Sequence, residues 1–184
     1  MLKTKSIEEI TIREIVETCG ISRASFYRYF RDKFDLLNWI FSQYMDELTG
    51  YYNHTSLCYR QVTFDITSFM ANSRTLFQKC FSYMGQNSFQ EYFLSCLTNY
   101  VGNHLKELMY VDELTPEYQM MVSFNSMGVL YTINNWLQNG CRESPEEITK
   151  IIIDSMPEKV KKYFVAPGYD KWDLVHSSNS FEYI

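Results

Sequence analysis

The stretch ITIREIVETCGISRASFYRYFRDKFDLLNWI, residues 10–40, predicts two short helices joined by a tight turn. The Thr11 hydroxyl can accept the amide of Glu14 while the Glu14 carboxylate accepts the amide of Thr11, a capping box that starts the first helix. Gly20 supplies the left-handed residue that ends this helix, and Ser22 caps the second one. This pattern is typical of a helix-turn-helix.

The second helix, residues 23–30, has an outward face that suits the major groove of DNA. Phe26 and Phe30 are four residues apart and point inward. The opposite side carries arginine, tyrosine, serine and a small alanine. Arginine can donate two hydrogen bonds to guanine, the tyrosine and serine hydroxyls can reach phosphates, and alanine leaves room for a thymine methyl group. The Ser22 end of the helix offers further phosphate contacts. From residue types alone, an exposed polar face without a ligand is an equally good interpretation.

The same stretch resembles the DNA-binding domain of TetR-type transcriptional regulators. The matching positions are Thr11, Ile15, Val16, Gly20, Ile21, Ser22, Phe26, Tyr27, Tyr29, Phe30, Lys33, Leu36 and Leu37. The resemblance implies contacts with bases or nearby phosphates from Arg23, Ala24, Ser25, Tyr27 and Arg28, with a further base contact from Arg13. It also implies contacts between the DNA backbone and Thr11, Tyr29 and Lys33.

The start of the chain departs from this family pattern. Only ten residues, MLKTKSIEEI, precede Thr11, whereas the family has a helix of a dozen or more residues there. Either the protein starts further upstream or the first helix is truncated. Truncation predicts exposure of Ile7, Ile10, Ile15 and Phe26 and weaker DNA binding. It leaves open an alternative function, a TetR-like co-regulator that binds no DNA and acts through a protein partner.

Composition and charge agree with a helical DNA-binding protein. The 184 residues are 46% hydrophobic and 17% aromatic, with 9 Met but only 7 Gly and 4 Pro, which favours long helices around a large interior. Residues 1–34 carry seven basic and five acidic groups, a net charge of +2, and residues 35–184 carry −7. An overall charge of −5 therefore conceals a basic head on an acidic body.

The predicted fold is all-α, with an N-terminal helix-turn-helix head and a C-terminal helical domain for ligand binding and dimerisation. The head spans residues 1–40, with the motif at 11–30, and the helical domain spans 41–164. The last 20 residues, 165–184, are expected to form a loosely structured tail. Hydrophobic periodicity predicts the helices of the second domain, over 34–52, 60–81 (one helix or two), 89–109, 116–139 and 145–156.

Two segments of the second domain resemble the C-terminal domain of one TetR branch, which includes a regulator of dihydroxyacetone utilisation. They are GQNSFQEYF, residues 85–93, and NNWLQNGCRESPEEI, residues 134–148. This resemblance implies an architecture and no particular ligand.

The helix predicted over 116–139 is apolar on two sides, so we expect both sides to be buried. One side closes its own domain, and the other meets a second copy in a four-helix dimer seam. The predicted seam consists of Met121, Asn125, Gly128, Val129, Thr132, Trp136, Ile148, Ile151 and Ile152. An ordinary interior helix of a monomer remains the alternative. A homodimer would present two heads to the half-sites of a palindromic operator in double-stranded DNA.

The surplus of aromatic residues and Met can line a pocket for a small-molecule effector of unknown identity, although plain core is the commoner use of such residues. The residues proposed for this pocket are Gln86, Asn87, Asn99, Asn103, His104, Phe124 and Tyr131. The predicted function is therefore a ligand-responsive, dimeric DNA-binding repressor.

Other functions lack sequence support. The three histidines are isolated, and no phosphate-binding loop, nucleophile elbow or metal-binding spacing occurs, so no enzyme, cofactor or metal site is predicted. Five scattered cysteines fit a reduced cytoplasmic protein. The uncharged run at 118–141 contains six Asn or Gln residues, which disfavours a membrane span.

Overall fold

The computed structural model describes residues 5–52 and 58–165, and this part of the chain forms nine helices and no strand. The helices are α1 (Ile12–Cys19), α2 (Arg23–Tyr29), α3 (Lys33–Tyr52), α4 (Cys58–Asn72), α5 (Arg74–Ser82), α6 (Phe89–Met109), α7 (Pro116–Gln138), α8 (Pro145–Asp154) and α9 (Glu158–Phe164). The predicted all-α fold class is confirmed.

Local capping determines where the helices of the head begin and end. Thr11 and Glu14 form the predicted capping box before α1, and Gly20 ends that helix in the left-handed conformation with φ 66°. The Ser22 hydroxyl accepts the backbone N–H of Ser25 at 3.0 Å and so starts α2. These three sequence predictions are confirmed.

The residues before α1 are packed into the head. Ile7, Ile10 and Phe26 are only 3%, 6% and 2% exposed, and Ile15 is partly buried, so the exposure predicted for a truncated first helix is wrong. Lys33, the first residue of α3, donates from Nζ to the backbone carbonyl of Ile10 at 2.7 Å and to that of Glu8 at 2.8 Å. A turn held in this way covers the apolar side of the helix-turn-helix.

Aromatic rings fill the main core of the body, which α3 to α8 surround. The Phe41 ring centroid lies 5.2 Å from that of Phe89 and 5.6 Å from that of Phe93, in edge-to-face geometry. Such aromatic pairs each add about 0.5–1.5 kcal/mol beyond the burial of their area. The segment predicted as one helix or two is two helices, α4 and α5, which meet at Ser73.

A buried hydroxyl pair joins α4 to α8. The Oγ1 atoms of Thr67 and Thr149 lie 3.1 Å apart, and neither residue is exposed to solvent. Thr67 also donates to the carbonyl of Phe64 at 2.9 Å. Because a buried hydroxyl without a partner costs about 1–3 kcal/mol, this pair favours the alignment of the two helices in which both hydroxyls are bonded.

The short helix α9 is absent from the sequence prediction, whose last helix ends at residue 156. Its residues Val160 and Phe164, four positions apart, are 0% and 3% exposed within a second core cluster. Lys159 pairs with Glu117 at 2.6 Å, so the chain returns to the start of α7. Apart from Val165, the predicted tail lies outside the described residues.

Candidate nucleic-acid interface, dimer face and ligand cavity

The outward face of α2 carries five of the ten residues predicted to contact DNA. These exposed residues are Arg23, Ala24, Tyr27, Arg28 and Tyr29. Tyr27 and Tyr29 are 50% and 72% exposed. Across residues 5–52 and 58–165, neither Arg23 nor Arg28 has an ion-pair partner. The face therefore offers two free guanidinium groups next to two phenols, which is the chemistry that phosphates and guanine edges recognise.

The other five predicted DNA contacts also bond within the protein. Thr11 and Ser22 are helix caps, and the Ser25 hydroxyl lies 2.9 Å from that of Ser22. These short polar side chains remain at the edge of the face. The Arg13 guanidinium is exposed but pairs with a glutamate on the next turn of α1 at 2.7 Å, a contact that raises its pKa.

Lys33 also bonds within the head. Both of its described hydrogen bonds go to backbone carbonyls before α1, and the residue is partly buried. A lysine ammonium has three donors, and two of them are used here. These bonds give Lys33 a role in holding the head together, and its contact with the DNA backbone through the third donor stays a prediction.

A second exposed face runs along α7 and is apolar. Met120, Phe124, Met127 and Tyr131 are 75%, 76%, 53% and 72% exposed, and they follow one another at spacings of three or four residues. Such a stripe is far more apolar than ordinary monomer surface. On α8, Ile151 is 46% exposed.

The predicted dimer seam is on the wrong side of α7. Asn125, Val129, Trp136, Ile148 and Ile152 are between 2% and 6% exposed within a single chain, and Met121 and Thr132 are partly buried. Side chains buried in their own protomer cannot contact a second copy. Of the predicted seam only Gly128 and Ile151 are exposed. Because α7 is apolar on both sides, its periodicity could not show which side faces inward.

Asn125 has a role inside the chain. Asn125 is 6% exposed and Tyr59 is 4% exposed, and burial raises the pKa of the Tyr59 phenol to about 12. Both side chains therefore belong to the interior between α4 and α7, and the Tyr59 phenol remains neutral.

An apolar cavity lies between α3, α4, α6 and α7 and has a volume of about 30 Å³. This volume is close to that of one water molecule and far below the ~300–1,000 Å³ of typical ligand pockets. The cavity is lined by Phe41, Met45, Tyr59, Val62, Thr63, Ile66, Phe93, Cys96, Leu97, Tyr100, Val129 and Ile133. Burial raises the pKa of the Cys96 thiol, so the lining carries no charge.

None of the seven residues proposed for the pocket lines this cavity. Phe124 and Tyr131 lie on the outer face of α7, and Gln86, Asn99 and Asn103 are exposed. The His104 ring stacks on Tyr100 and contacts Phe164. Asn87 donates to Asp32 at the junction between head and body. The sequence prediction selected mainly polar side chains for the pocket, whereas the lining of the cavity consists mainly of aromatic, aliphatic and sulfur-containing residues.

The described ranges, 5–52 and 58–165, contain no cluster of three or more His, Cys, Asp or Glu side chains able to hold a metal ion. No helix in those ranges is long and apolar enough to cross a membrane.

Comparison with known proteins identifies the family. Residues 1–40 match the family model for bacterial regulatory proteins of the tetR family. Residues 59–158, more than half of the chain, match a model described as a transcriptional regulator C-terminal region. The chain is a TetR-family transcriptional regulator.

This TetR-family chain is also similar to a curated regulator and to a solved structure. The uncharacterised helix-turn-helix-type transcriptional regulator YxbF of Bacillus subtilis (strain 168) is 25% identical over 168 residues, which cover 86% of this chain and 42% of that protein. The chain thus spans less than half the length of this relative. The solved structure of the dihydroxyacetone kinase operon activator DhaS matches with a TM-score of 0.61 at 18% identity, covering 87% of this chain and 89% of that one. This likeness shows a shared fold.

Proposed function

We propose that this TetR-family regulator is a ligand-responsive dimeric repressor that binds a palindromic operator. The outward face of α2 is the observation that carries the proposal. Its Arg23 and Arg28 guanidinium groups are unpaired among the described residues and lie beside exposed Tyr27 and Tyr29. Free cations and hydroxyls on one short helix match the donors that DNA backbones and base edges accept. The charge of +2 on residues 1–34 would orient this face toward DNA.

The exposed stripe on α7 supports a homodimer. One short recognition helix makes few contacts, whereas two heads can occupy half-sites about one helical turn of DNA apart, or a multiple of it. Met120, Phe124, Met127 and Tyr131 form an apolar surface that the protomer itself leaves uncovered. A two-fold axis through such a surface brings it against itself and buries both copies.

The cavity supports a small apolar effector that must open the interior in order to bind. Its volume of about 30 Å³ is too small for an organic guest in this conformation. The cavity lining includes Phe41 and Met45 of α3, and the same helix begins at Lys33 in the head. A guest that pushed these side chains outward would move α3 and the head with it. Such a guest releases the operator only if it binds the non-DNA state more tightly.

Salt-dependent DNA binding tests the proposal. Fluorescence anisotropy is measured with duplex DNA from upstream of the gene and with random duplex at several salt concentrations. We expect a preference for the upstream DNA and a steep negative slope of log K against log salt. Replacing both Tyr27 and Arg28 with Ala should remove the preference while light scattering still reports the native oligomer.

Arg142 provides a matched control, since it is an exposed arginine in the loop between α7 and α8. Arg142→Ala should leave both the affinity and the salt slope unchanged. If the unmodified protein showed no preference and bound a second regulator instead, the co-regulator alternative would replace this proposal. Because DhaS is named as an activator, a promoter fusion assayed with and without the chain determines the sign of regulation.

A further inference from the structure

The corner between α5 and α6, residues 83–88, lies against the start of α3. The amide of Asn87 donates from Nδ2 to Asp32 Oδ2 at 3.1 Å. Tyr83 stacks on Phe34, with ring centroids 4.0 Å apart and planes 10° apart. The first contact is polar and directional, and the second is a broad ring contact. Together the two contacts define the position and the angle of the start of α3 relative to the corner.

Asp32 has two functions at this junction. Its Oδ1 accepts the backbone N–H groups of Phe34 and Asp35, each at 2.8 Å, and so caps the start of α3. Its Oδ2 is the atom that Asn87 holds. Only Phe30 and Arg31 lie between Asp32 and the end of α2. The hydrogen bond from Asn87 to Oδ2 therefore restrains the turn between α2, the recognition helix, and α3.

The backbone conformation of residues 83–88 allows Asn87 and Tyr83 to make these contacts. Asn87 has φ 60°, a left-handed conformation that asparagine tolerates better than most residues other than glycine. An ideal Cβ on Gly85 would lie 2.2 Å from the Tyr83 hydroxyl oxygen, so the absence of a side chain at Gly85 allows the Tyr83 ring to fold over it. The folded ring then presents its face to Phe34.

We propose that Asn87 and Tyr83 are positioning residues that hold the DNA-binding head in one orientation relative to the body. The inference rests on the proposed function. The corner leads directly into α6, whose residues Phe93 and Tyr100 line the cavity. A shift of α6 caused by a guest would therefore reach Asp32 through Asn87.

An exchange of the two hydrogen-bonding groups tests the role of Asn87. Asn87→Asp places a second carboxylate against Asp32 and should break the contact by repulsion. Combining Asn87→Asp with Asp32→Asn restores one donor and one acceptor with their positions reversed, and the new amide oxygen can still cap α3. We expect the single variant to lose the contact and the double variant to recover it.

The first readout is the orientation of the head, measured without DNA. Spin labels are placed at exposed Cys19 and at Arg142→Cys, after replacing Cys58, Cys96 and Cys141 with Ser, and the labelled chain is diluted with unlabelled protein. The distance distribution should broaden or shift in Asn87→Asp and return in the double variant. An unchanged distribution in Asn87→Asp, with thermal unfolding confirming that it folds, would overturn the positioning role.

The second readout is the dependence of DNA affinity on half-site spacing. The unmodified protein should bind its preferred spacing at least tenfold more tightly than one altered by two base pairs, and Asn87→Asp should reduce this ratio to about threefold or less. A merely structural role would weaken all spacings equally and would also overturn the inference. If the unmodified protein selects no DNA, the proposed function fails, and the label distances still decide the positioning role.

Discussion

The outward faces of α2 and α7 are both exposed, yet their chemistry is opposite. On α2 the face carries Arg23, Tyr27 and Arg28, and on α7 it carries Met120 and Phe124. Neither face is needed to complete the core of its own protomer. We therefore expect the two faces to bind different partners. Cations attract phosphates, whereas an apolar stripe is stabilised only when another apolar surface covers it.

Phe124→Glu should have the largest effect, because it should weaken dimerisation through the α7 face without changing the α2 face. A carboxylate from each copy would enter the proposed seam, which should weaken dimerisation more than 100-fold, about 3 kcal/mol. The fold should survive, because Phe124 is 76% exposed in the protomer. Sedimentation velocity measures the change, and Asn103→Glu on the exposed surface of α6 is the control. A dimer that persisted with unchanged affinity would place the seam elsewhere.

A second test concerns Lys33, which resembles a DNA contact by sequence but bonds to the carbonyls of Glu8 and Ile10. Lys33→Met should lower the free energy of unfolding by about 1–2 kcal/mol, because two backbone acceptors lose a charged donor. Urea unfolding measures this loss. The salt slope of DNA binding should change less than in Arg28→Ala. Equal changes in the slope would show that Lys33 contributes to DNA binding as much as Arg28 does.

Gly128 on the outer side of α7 tests the apolar face with a smaller change. A Cβ there has no atom within 4 Å in the protomer, so Gly128→Ala should raise the free energy of unfolding by about 1 kcal/mol in the monomeric Phe124→Glu background. In the dimer, close approach of a second helix should offset that gain. Gly102→Ala is the control, because its Cβ would meet Val122 at an ordinary 3.9 Å in either state.

The smallest effect concerns pH and the capping of α1. Hydrogen bonds from Lys5, from the Thr11 backbone and from the Thr11 hydroxyl lower the pKa of Glu14 from 4.5 to about 2. A carboxyl with a lowered pKa stabilises the folded state above the unfolded pKa, and this contribution is lost as pH falls from about 4.5 toward 2.

Urea unfolding of Glu14→Gln and the unmodified protein should therefore differ by a constant amount above pH 5 and converge near pH 2. Glu147→Gln, in the matching capping box before α8, is the comparison in the body, where the described residues include no lysine contact to that glutamate. A difference for Glu14→Gln that did not vary with pH would contradict the assigned pKa.

The head was largely predictable because its signals are local. Thr11, Gly20 and Ser22 determine helix ends through their own side chains or backbone, and the structure has those ends where the sequence predicts them. Lys33 is the exception, because its partners are more than twenty residues away in sequence.

The body was predictable in its helices but not in its surfaces. Both sides of α7 are apolar, so choosing the inward side requires knowledge of how α6 and α7 pack. The cavity draws on residues as distant as Phe41 and Val129, and no periodicity connects them. The missed helix α9 has only two buried residues, Val160 and Phe164, to signal it.

If the proposed function holds, the buried hydroxyl pair of Thr67 and Thr149 would link effector binding to self-association. Sliding α4 along α8 would separate the hydroxyls, so we expect the two helices to move together or to jump by about one turn, ~5.4 Å. The helix α4 lines the cavity, and α8 carries exposed Ile151. Any change in dimer affinity caused by the effector must be matched by an equal change in effector affinity on dimerisation. The concentration of effector that triggers a response would then depend on how much of the protein the cell contains.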